Sequence, residues 1–174
     1  MTEQKTNLNE EDLYIDETMK IKLQIMPIIY NTTFVHIIEN YNFGNLPESI
    51  IKDIFTDGRA FSHFIEPWLS LNYPLIHIRG CKKFDHTSLD DENIKYDQKT
   101  FTARGCKFMP SNMIGEGRKF DKDIFEEKAK KLIYIIVSNV NFPEIKIKFV
   151  KGVDLIVDYP KGCIPSKDFI KFFN

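Results

Sequence analysis

Residues 94–101 read IKYDQKTF, and apolar and polar side chains alternate over the first four of them. This period of two predicts a β-strand that carries Asp97 and Lys99 on the same face. The polar run from Thr87 to Asn93 precedes the strand and predicts the loop of a hairpin. Asp85 comes just before that loop, so we expect the hairpin to return its carboxylate to the same end as Asp97 and Lys99.

Two periodicities divide the remaining chain into helices and strands. Apolar residues at helical spacing predict helices over 32–41, 47–57, 59–71, 123–131 and 165–173. Alternating or continuous apolar runs predict strands over 19–25, 75–81, 99–107, 132–140, 144–150 and 153–157. Pro67 is expected to kink or restart its helix, and Asp123 with Glu126 is expected to form a capping box. From 58 to 140 the predicted order is helix, strand, strand, strand, helix, strand.

Composition is typical of one globular domain with a sizeable core. The chain has 174 residues, of which 43% are hydrophobic and 13% aromatic. It has no apolar run of about eighteen residues and no basic segment followed by an apolar one at its N-terminus. We therefore expect a soluble, cytoplasmic protein without membrane contact. The three cysteines are odd in number and far apart, which argues against a disulfide framework and against a structural zinc site.

The formal net charge is only −1, so the chain is not a uniformly basic nucleic-acid binder. Basic residues nevertheless flank the acidic stretch around 85–97 in sequence: Arg79, Lys82, Lys83, Arg104, Lys107, Arg118 and Lys119. This distribution is typical of an acidic metal pocket inside a basic rim. The alternative is that interspersed charges only keep the surface soluble.

Two carboxylates at one place are suited to a hard divalent cation such as Mg²⁺, which binds oxygen ligands. Asp85 and Asp97 offer such a pair, and the ammonium group of Lys99 offers a fixed positive charge for a phosphodiester in its transition state. The alternative is a solvated charged hairpin without a ligand, because charged residues make up 28% of the chain.

Asp85 followed by Asp97-Gln98-Lys99 on the next strand resembles the PD-(D/E)xK signature of nucleases. That superfamily includes type II restriction endonucleases, Holliday-junction resolvases and viral enzymes. The sequence departs from the family pattern twice, because Phe84 stands where Pro is frequent and Asp97 stands where Glu is usual. The resemblance implies a mixed α/β fold with a restriction-endonuclease-like αβββαβ core, in which helices flank a mixed central sheet.

By the same resemblance, the chain is a Mg²⁺-dependent, sequence-specific endonuclease that hydrolyses double-stranded DNA, with Mn²⁺ able to replace Mg²⁺. Asp85 and Asp97 would bind the metal together with the backbone carbonyl of Gln98, and Lys99 would assist the attacking water. Glu66, on the helix before the first core strand, matches an additional Glu that the family often contributes to the metal site. A surface Glu without that role is the alternative. Cutting both strands implies a homodimer.

The implied organisation is a flexible acidic tail over 1–18 followed by one nuclease-like domain over 19–174. Within that domain, 19–57 supplies an N-terminal strand and helices available for dimerisation. The catalytic core covers 58–140, and C-terminal strands and a helix cover 141–174.

The stretch 107–119, KFMPSNMIGEGRK, lacks a regular hydrophobic period and predicts a loop. Its polar and basic side chains are suited to contacts with phosphates and base edges. With the preceding turn, the candidate nucleic-acid-binding residues are Arg104, Lys107, Ser111, Asn112, Arg118 and Lys119. An ordinary connection between a strand and a helix is the alternative.

Several further readings stay open. Glu144-Ile145-Lys146 also spells ExK, but we interpret it as the polar side of an alternating strand. His86 adjoins Asp85, and the sequence does not decide whether it takes part in the metal site. The same constellation would serve a junction resolvase or a viral cap-snatching RNA endonuclease. A catalytically silent interaction module is the alternative from another class.

Overall fold

The computed structural model describes residues 25–39, 41, 43–80, 83–114 and 117–174. The predicted tail over 1–18 and all but the last residue of the strand predicted over 19–25 lie outside these ranges. The described part contains the helices α1 (Glu48–Thr56), α2 (Gly58–Asn72), α3 (Lys122–Ala129), α4 (Gly152–Asp158) and α5 (Phe169–Phe173). Its strands are β1 (Thr33–Ile37), β2 (Leu75–His77), β3 (His86–Ser88), β4 (Lys95–Phe101), β5 (Cys106–Lys107), β6 (Ile133–Asn141), β7 (Glu144–Lys151) and β8 (Cys163–Ile164).

Six of the described strands form one mixed sheet in the order β1-β7-β6-β4-β3-β2. β4 and β6 run parallel, whereas the other neighbouring pairs are antiparallel. β5 and β8 form a separate antiparallel pair. The chain is therefore a mixed α/β protein, as its sequence predicts. None of the helices within the described ranges is long and apolar enough to cross a membrane.

Helices cover both faces of the sheet and divide the core into two apolar clusters. On the first face, α1 and α2 pack over the sheet, and Leu69 of α2 belongs to the same cluster as Tyr96 of β4. On the second face, Phe125 of α3 belongs to the same cluster as Phe101 of β4, together with residues of α4 and α5. Because successive strand residues alternate, Asp97 points to the second face, like Phe101.

The helix predicted over 32–41 is wrong, because Thr33–Ile37 form strand β1. β1 pairs with β7, and its side chains alternate: Phe34 packs against the first-face cluster, whereas Val35 and Ile37 are 56% and 65% exposed. The apolar spacing fits a helix equally well, but β-branched residues and the pairing with β7 favour the strand.

The strand predicted over 153–157 is also wrong, because Gly152–Asp158 form helix α4. Leu155 and Tyr159, four residues apart, are buried, whereas Val157 is 77% exposed. A short apolar run does not distinguish a buried strand from a helix, so the tertiary packing decides.

Other predicted elements are confirmed with shifted boundaries. α2 continues without a break through Pro67. α3 begins after Asp121, whose side chain accepts a hydrogen bond from the Ile124 amide, so the capping box predicted at Asp123 is wrong. β4 ends at Phe101 and does not continue to 107, and the strand predicted over 75–81 is confined to β2 in the described residues.

Candidate active site

Asp85 closes the loop that joins β2 to β3, and two backbone hydrogen bonds fix it there. Its carbonyl accepts from the amide of Ile78 at 2.8 Å, and its amide donates to the carbonyl of Tyr96 at 2.9 Å. Its side-chain Oδ2 accepts a third hydrogen bond, from the backbone amide of Gln98, at 2.7 Å. The carboxylate of Asp85 therefore lies against the middle residue of the DQK sequence on β4.

Asp97 and Lys99 are alternate residues of β4 and form an ion pair on the second face. Lys99 Nζ lies 2.7 Å from Asp97 Oδ1 and donates a second hydrogen bond, of 3.0 Å, to the carbonyl of Gln98. The side chains of Lys99 and Asp97 keep only 25% and 11% of their exposure. The structure thus brings Asp85, Asp97, Gln98 and Lys99 into one partly desolvated group, whereas most surface pairs are fully hydrated.

Burial raises the pKa of Asp97 to about 6; the charge of Lys99 opposes this shift, and the charge of Asp85 adds to it. Lys99 behaves differently. Burial lowers its pKa, but attraction to Asp97 and Asp85 outweighs burial, and the net pKa is raised. The ammonium group of Lys99 is stabilised by two carboxylates, whereas the carboxylate of Asp97 faces one cation and one like charge. At neutral pH Lys99 is therefore a cation within a site of net negative charge.

The raised pKa of Asp97 predicts how the free energy of unfolding depends on pH in the absence of added metal. The pKa of Asp97 is about 6 in the folded state and about 3.9 in an unfolded chain. The folded state therefore binds the proton more tightly between these values, and the Asp97 contribution to the free energy of unfolding decreases as the pH rises from about 4 to 6. The decrease is on the order of 1 to 3 kcal/mol. Urea unfolding of wild type and Asp97→Asn across this range measures it, and equal pH slopes for the two proteins would contradict it.

Uncharged side chains adjoin the ion pair on the second face. Tyr134 lies directly opposite Asp97 in the parallel register of β4 and β6, and Cys106 is close enough to Lys99 to influence its pKa. Burial raises the pKa of Cys106 to about 12 and that of Tyr134 well above its usual value, so both are neutral at pH 7. The sequence did not identify these two residues, because their approach depends on the β4–β6 register and on the return of the chain through β5.

Three oxygen donors converge at this site: the carboxylates of Asp85 and Asp97 and the carbonyl of Gln98. Oxygen donors of this kind are those that Mg²⁺ and Mn²⁺ bind. A divalent cation would favour the ionised form of Asp97, which burial disfavours, so the donor set fits such an ion. In the structure, Lys99 bonds two of the three groups. Within the described ranges, no three or more His, Cys, Asp or Glu side chains are grouped so that they could hold a metal.

Glu66 and His86 meet on the first face of the sheet, opposite Asp97. Glu66 belongs to α2, and its backbone carbonyl accepts a hydrogen bond of 2.8 Å from His86 Nε2. Its carboxylate Oε2 lies 3.3 Å from Nε2 of His77. In the described part of the chain, no hydrogen bond or ion pair joins Glu66 to Asp85 or Asp97. The metal-binding role of Glu66 stays a prediction.

The segment that follows β4, residues 102–114 and 117–119, packs over the second face, and we call it the basic loop. Its six predicted nucleic-acid-binding residues are all exposed: Arg104, Lys107, Ser111, Asn112, Arg118 and Lys119. Between them, Cys106, Phe108 and Met113 are buried in the second-face cluster, so the loop lies on the same side of the sheet as the ion pair. Arg118 donates hydrogen bonds to two backbone carbonyls within the loop, which closes the loop on itself.

No protein-family model, curated protein or solved structure matches the chain. A functional assignment therefore depends on the geometry of Asp85, Asp97, Gln98 and Lys99, and on the basic loop that covers the same face.

Proposed function

We propose that the chain is a divalent-metal-dependent endonuclease of the PD-(D/E)xK type that cuts double-stranded DNA at specific sequences, as type II restriction endonucleases do. The observation that carries the proposal is the 2.7 Å hydrogen bond from the Gln98 amide to the Asp85 carboxylate. It joins the first acid of the signature to the DxK residues on the neighbouring strand, where Lys99 contacts Asp97 at 2.7 Å. A solvated charged hairpin would not need these groups to be buried together.

The strand order supports the same proposal at the level of the fold. β2, β3, β4 and β6 are consecutive neighbours in the sheet. α2 precedes them in the chain, and α3 lies between β4 and β6. α2 and α3 cover opposite faces of the sheet. With the short β5 set aside, this order and layering support the proposal of a restriction-endonuclease-like core.

The chemistry follows from the charges on the chain. Asp85, Asp97 and the Gln98 carbonyl would bind Mg²⁺, which when bound supplies Lewis-acid stabilisation of negative charge on the phosphodiester. Lys99 stays protonated because its pKa is raised, so it serves as a hydrogen-bond donor to the attacking water or to a phosphate oxygen, and not as a general base. The water oxygen bonds to phosphorus and loses a proton, the bond to the 3′ oxygen breaks and that oxygen takes up a proton, and a 5′-phosphate and a 3′-hydroxyl result.

The direct test is incubation of the purified protein with plasmid and phage DNA in Mg²⁺, in Mn²⁺ and in EDTA. Discrete fragments that require metal would support a site-specific endonuclease. Cleavage of branched DNA or of RNA, without cleavage of duplex DNA, would transfer the same site to a resolvase or an RNA endonuclease. If no nucleic acid is cut under any condition, the endonuclease proposal fails.

The basic loop gives a second, quantitative prediction. Replacing Arg104, Lys107 and Lys119 together by Ala is expected to weaken DNA binding at all sequences and to flatten its salt dependence. Each lost phosphate contact removes about 0.9 from the slope of log affinity against log salt, so the slope should fall by about 2 to 3. Arg118 is left intact because it closes the loop. Fluorescence anisotropy with a duplex measures the slope. Lys52→Ala, on α1 at the first face, is the control and should leave the slope unchanged.

A second copy of the chain is part of the proposal, because cutting both strands at one site requires two active sites. The sequence predicts that the segment 19–57 is available for dimerisation. In its described part, Val35 and Ile37 of β1 are 56% and 65% exposed, and Ile50 and Ile54 of α1 are each 44% exposed. Among the described strands, β1 lies at an edge of the sheet and contains no Lys, Asp or Glu, and such edges are prone to pairing. Sedimentation equilibrium should therefore report a dimer.

A further inference from the structure

Glu66 contacts both strands of the β2–β3 hairpin. Its carbonyl accepts from His86 Nε2 at 2.8 Å, and its carboxylate lies 3.3 Å from Nε2 of His77. His77 ends β2, His86 begins β3, and the two residues are direct cross-strand partners. Their rings lie 5.3 Å apart between centroids. One helical residue therefore holds the hairpin at the point where its loop begins and ends, and we call these three residues the Glu66 clamp.

The clamp rests on a rigid base. Ile65, beside Glu66 on α2, is fully buried, as are Phe61 and Leu69 one turn away on either side. His86 is itself 0% exposed, so its ring cannot exchange the bond to Glu66 for a bond to bulk water. Breaking a buried hydrogen bond of this kind leaves a polar group unsatisfied, which is unfavourable in the absence of water. The position of β3 relative to α2 is thus strongly determined.

The clamp is directly connected to the candidate active site. His86 follows Asp85 in the chain and pairs with Tyr96, the residue before Asp97. Asp85 donates its amide to the carbonyl of Tyr96 and accepts the Gln98 amide on its side chain. A shift of His86 therefore moves Asp85 relative to β4 and lengthens the hydrogen bond to Gln98.

We propose that Glu66 and His86 are positioning residues that hold Asp85 in register with Asp97, and that Glu66 acts through the two histidines and not as a metal ligand. This role rests on the proposed endonuclease function, because one of its two tests measures Mg²⁺ binding at the candidate active site. Neighbours that orient a site in this way typically contribute about 10- to 100-fold to metal affinity or activity.

Hydrogen exchange of the Gln98 amide tests the positioning role without any need for activity. His86→Leu removes the donor to Glu66 and is expected to speed exchange at Gln98 about tenfold or more, while the amide of Ile136 in β6 keeps its protection. His86→Gln can retain a donor and should restore much of the protection. Exchange at Gln98 that is unchanged in His86→Leu would overturn the positioning role. Wild-type protection at Ile136 shows that the variant is folded.

A Mg²⁺ titration of the melting temperature tests whether Glu66 is a ligand, because an ion that binds the folded state raises Tm. Glu66→Gln keeps an acceptor for His77, so the Mg²⁺ dissociation constant fitted from the rise of Tm with Mg²⁺ concentration should stay within about threefold of wild type. Asp85→Asn is the comparison and should lose the rise. If Glu66→Gln loses it as well, Glu66 is a ligand and this part of the inference is wrong. If wild type shows neither a rise nor cleavage, the endonuclease proposal fails, and the exchange experiment alone decides on the clamp.

Discussion

Asp97→Asn is expected to lower metal-dependent DNA cleavage by about 10³-fold or more. Asparagine keeps the size of the side chain and one oxygen, but it removes one of the two carboxylates that face each other at the site. Asp85 is then the only carboxylate of the pair left to balance the charge of a divalent cation. The rate is best measured in single turnover, with enzyme in excess over a plasmid that carries one cleavage site, because product release then does not limit it.

The control for this variant is Asp90→Asn, which removes the same charge from the exposed turn of the β3–β4 hairpin. It should cleave as the wild type does. Asp97→Asn should remain folded, since it relieves a carboxylate whose ionised form burial disfavours. Cleavage by Asp97→Asn within about tenfold of the wild-type rate would mean that the reaction does not depend on this carboxylate.

Lys99→Met is expected to reduce turnover by about 10²- to 10³-fold. Methionine preserves most of the apolar stem of lysine but not its ammonium group, which bonds Asp97 and the Gln98 carbonyl. DNA affinity measured without metal should change only a few fold, because Lys99 is one of many cations near the loop. Single-turnover rates and anisotropy on the same preparation separate the two effects.

The free energy of unfolding of Lys99→Met provides an independent test of the role of Lys99. Removing one partner of a largely buried ion pair should lower the free energy of unfolding by about 3 kcal/mol when no metal is added. Mg²⁺ should recover part of this loss by replacing the missing positive charge. Lys95→Met is the control, because Lys95 is exposed and lies over the ring of Phe84, 5.1 Å from its centroid. Undiminished turnover in Lys99→Met would remove Lys99 from the mechanism.

Local patterns predicted the elements whose own sequence determines their structure. The alternation in β4 and the continuous apolar run in β6 each define a strand, and both strands are present with nearly the predicted bounds. A hairpin that returns Asp85 to β4 follows from one polar loop, and the structure brings Asp85 against Gln98. The catalytic roles of these residues are not tested by the fold.

Long-range partners decided the elements that the sequence did not predict. β1 is a strand because it pairs with β7, more than a hundred residues later in the chain, and no local pattern contains that partner. α4 is a helix because its buried residues fit a face already formed by the sheet and by α3. The contact between Glu66 and His86 likewise joins α2 to β3, and a lone His beside Asp85 gave no signal for it.

The loop beside the candidate active site depends on residues that are synthesised more than fifty positions after it begins. Cys106 of β5 pairs with Ile164 of β8, and the amides of Phe108 and Met109 donate to the carbonyl of Gly162. Because a ribosome releases the chain from its N-terminus onward, Asp85 and Asp97 emerge well before the segment that holds the loop in place. The surface proposed to bind nucleic acid therefore matures after Asp85 and Asp97 have emerged. During translation, surrounded by ribosomal and messenger RNA, the nascent chain carries its acidic cluster before it has the basic surface that would draw a polynucleotide to it.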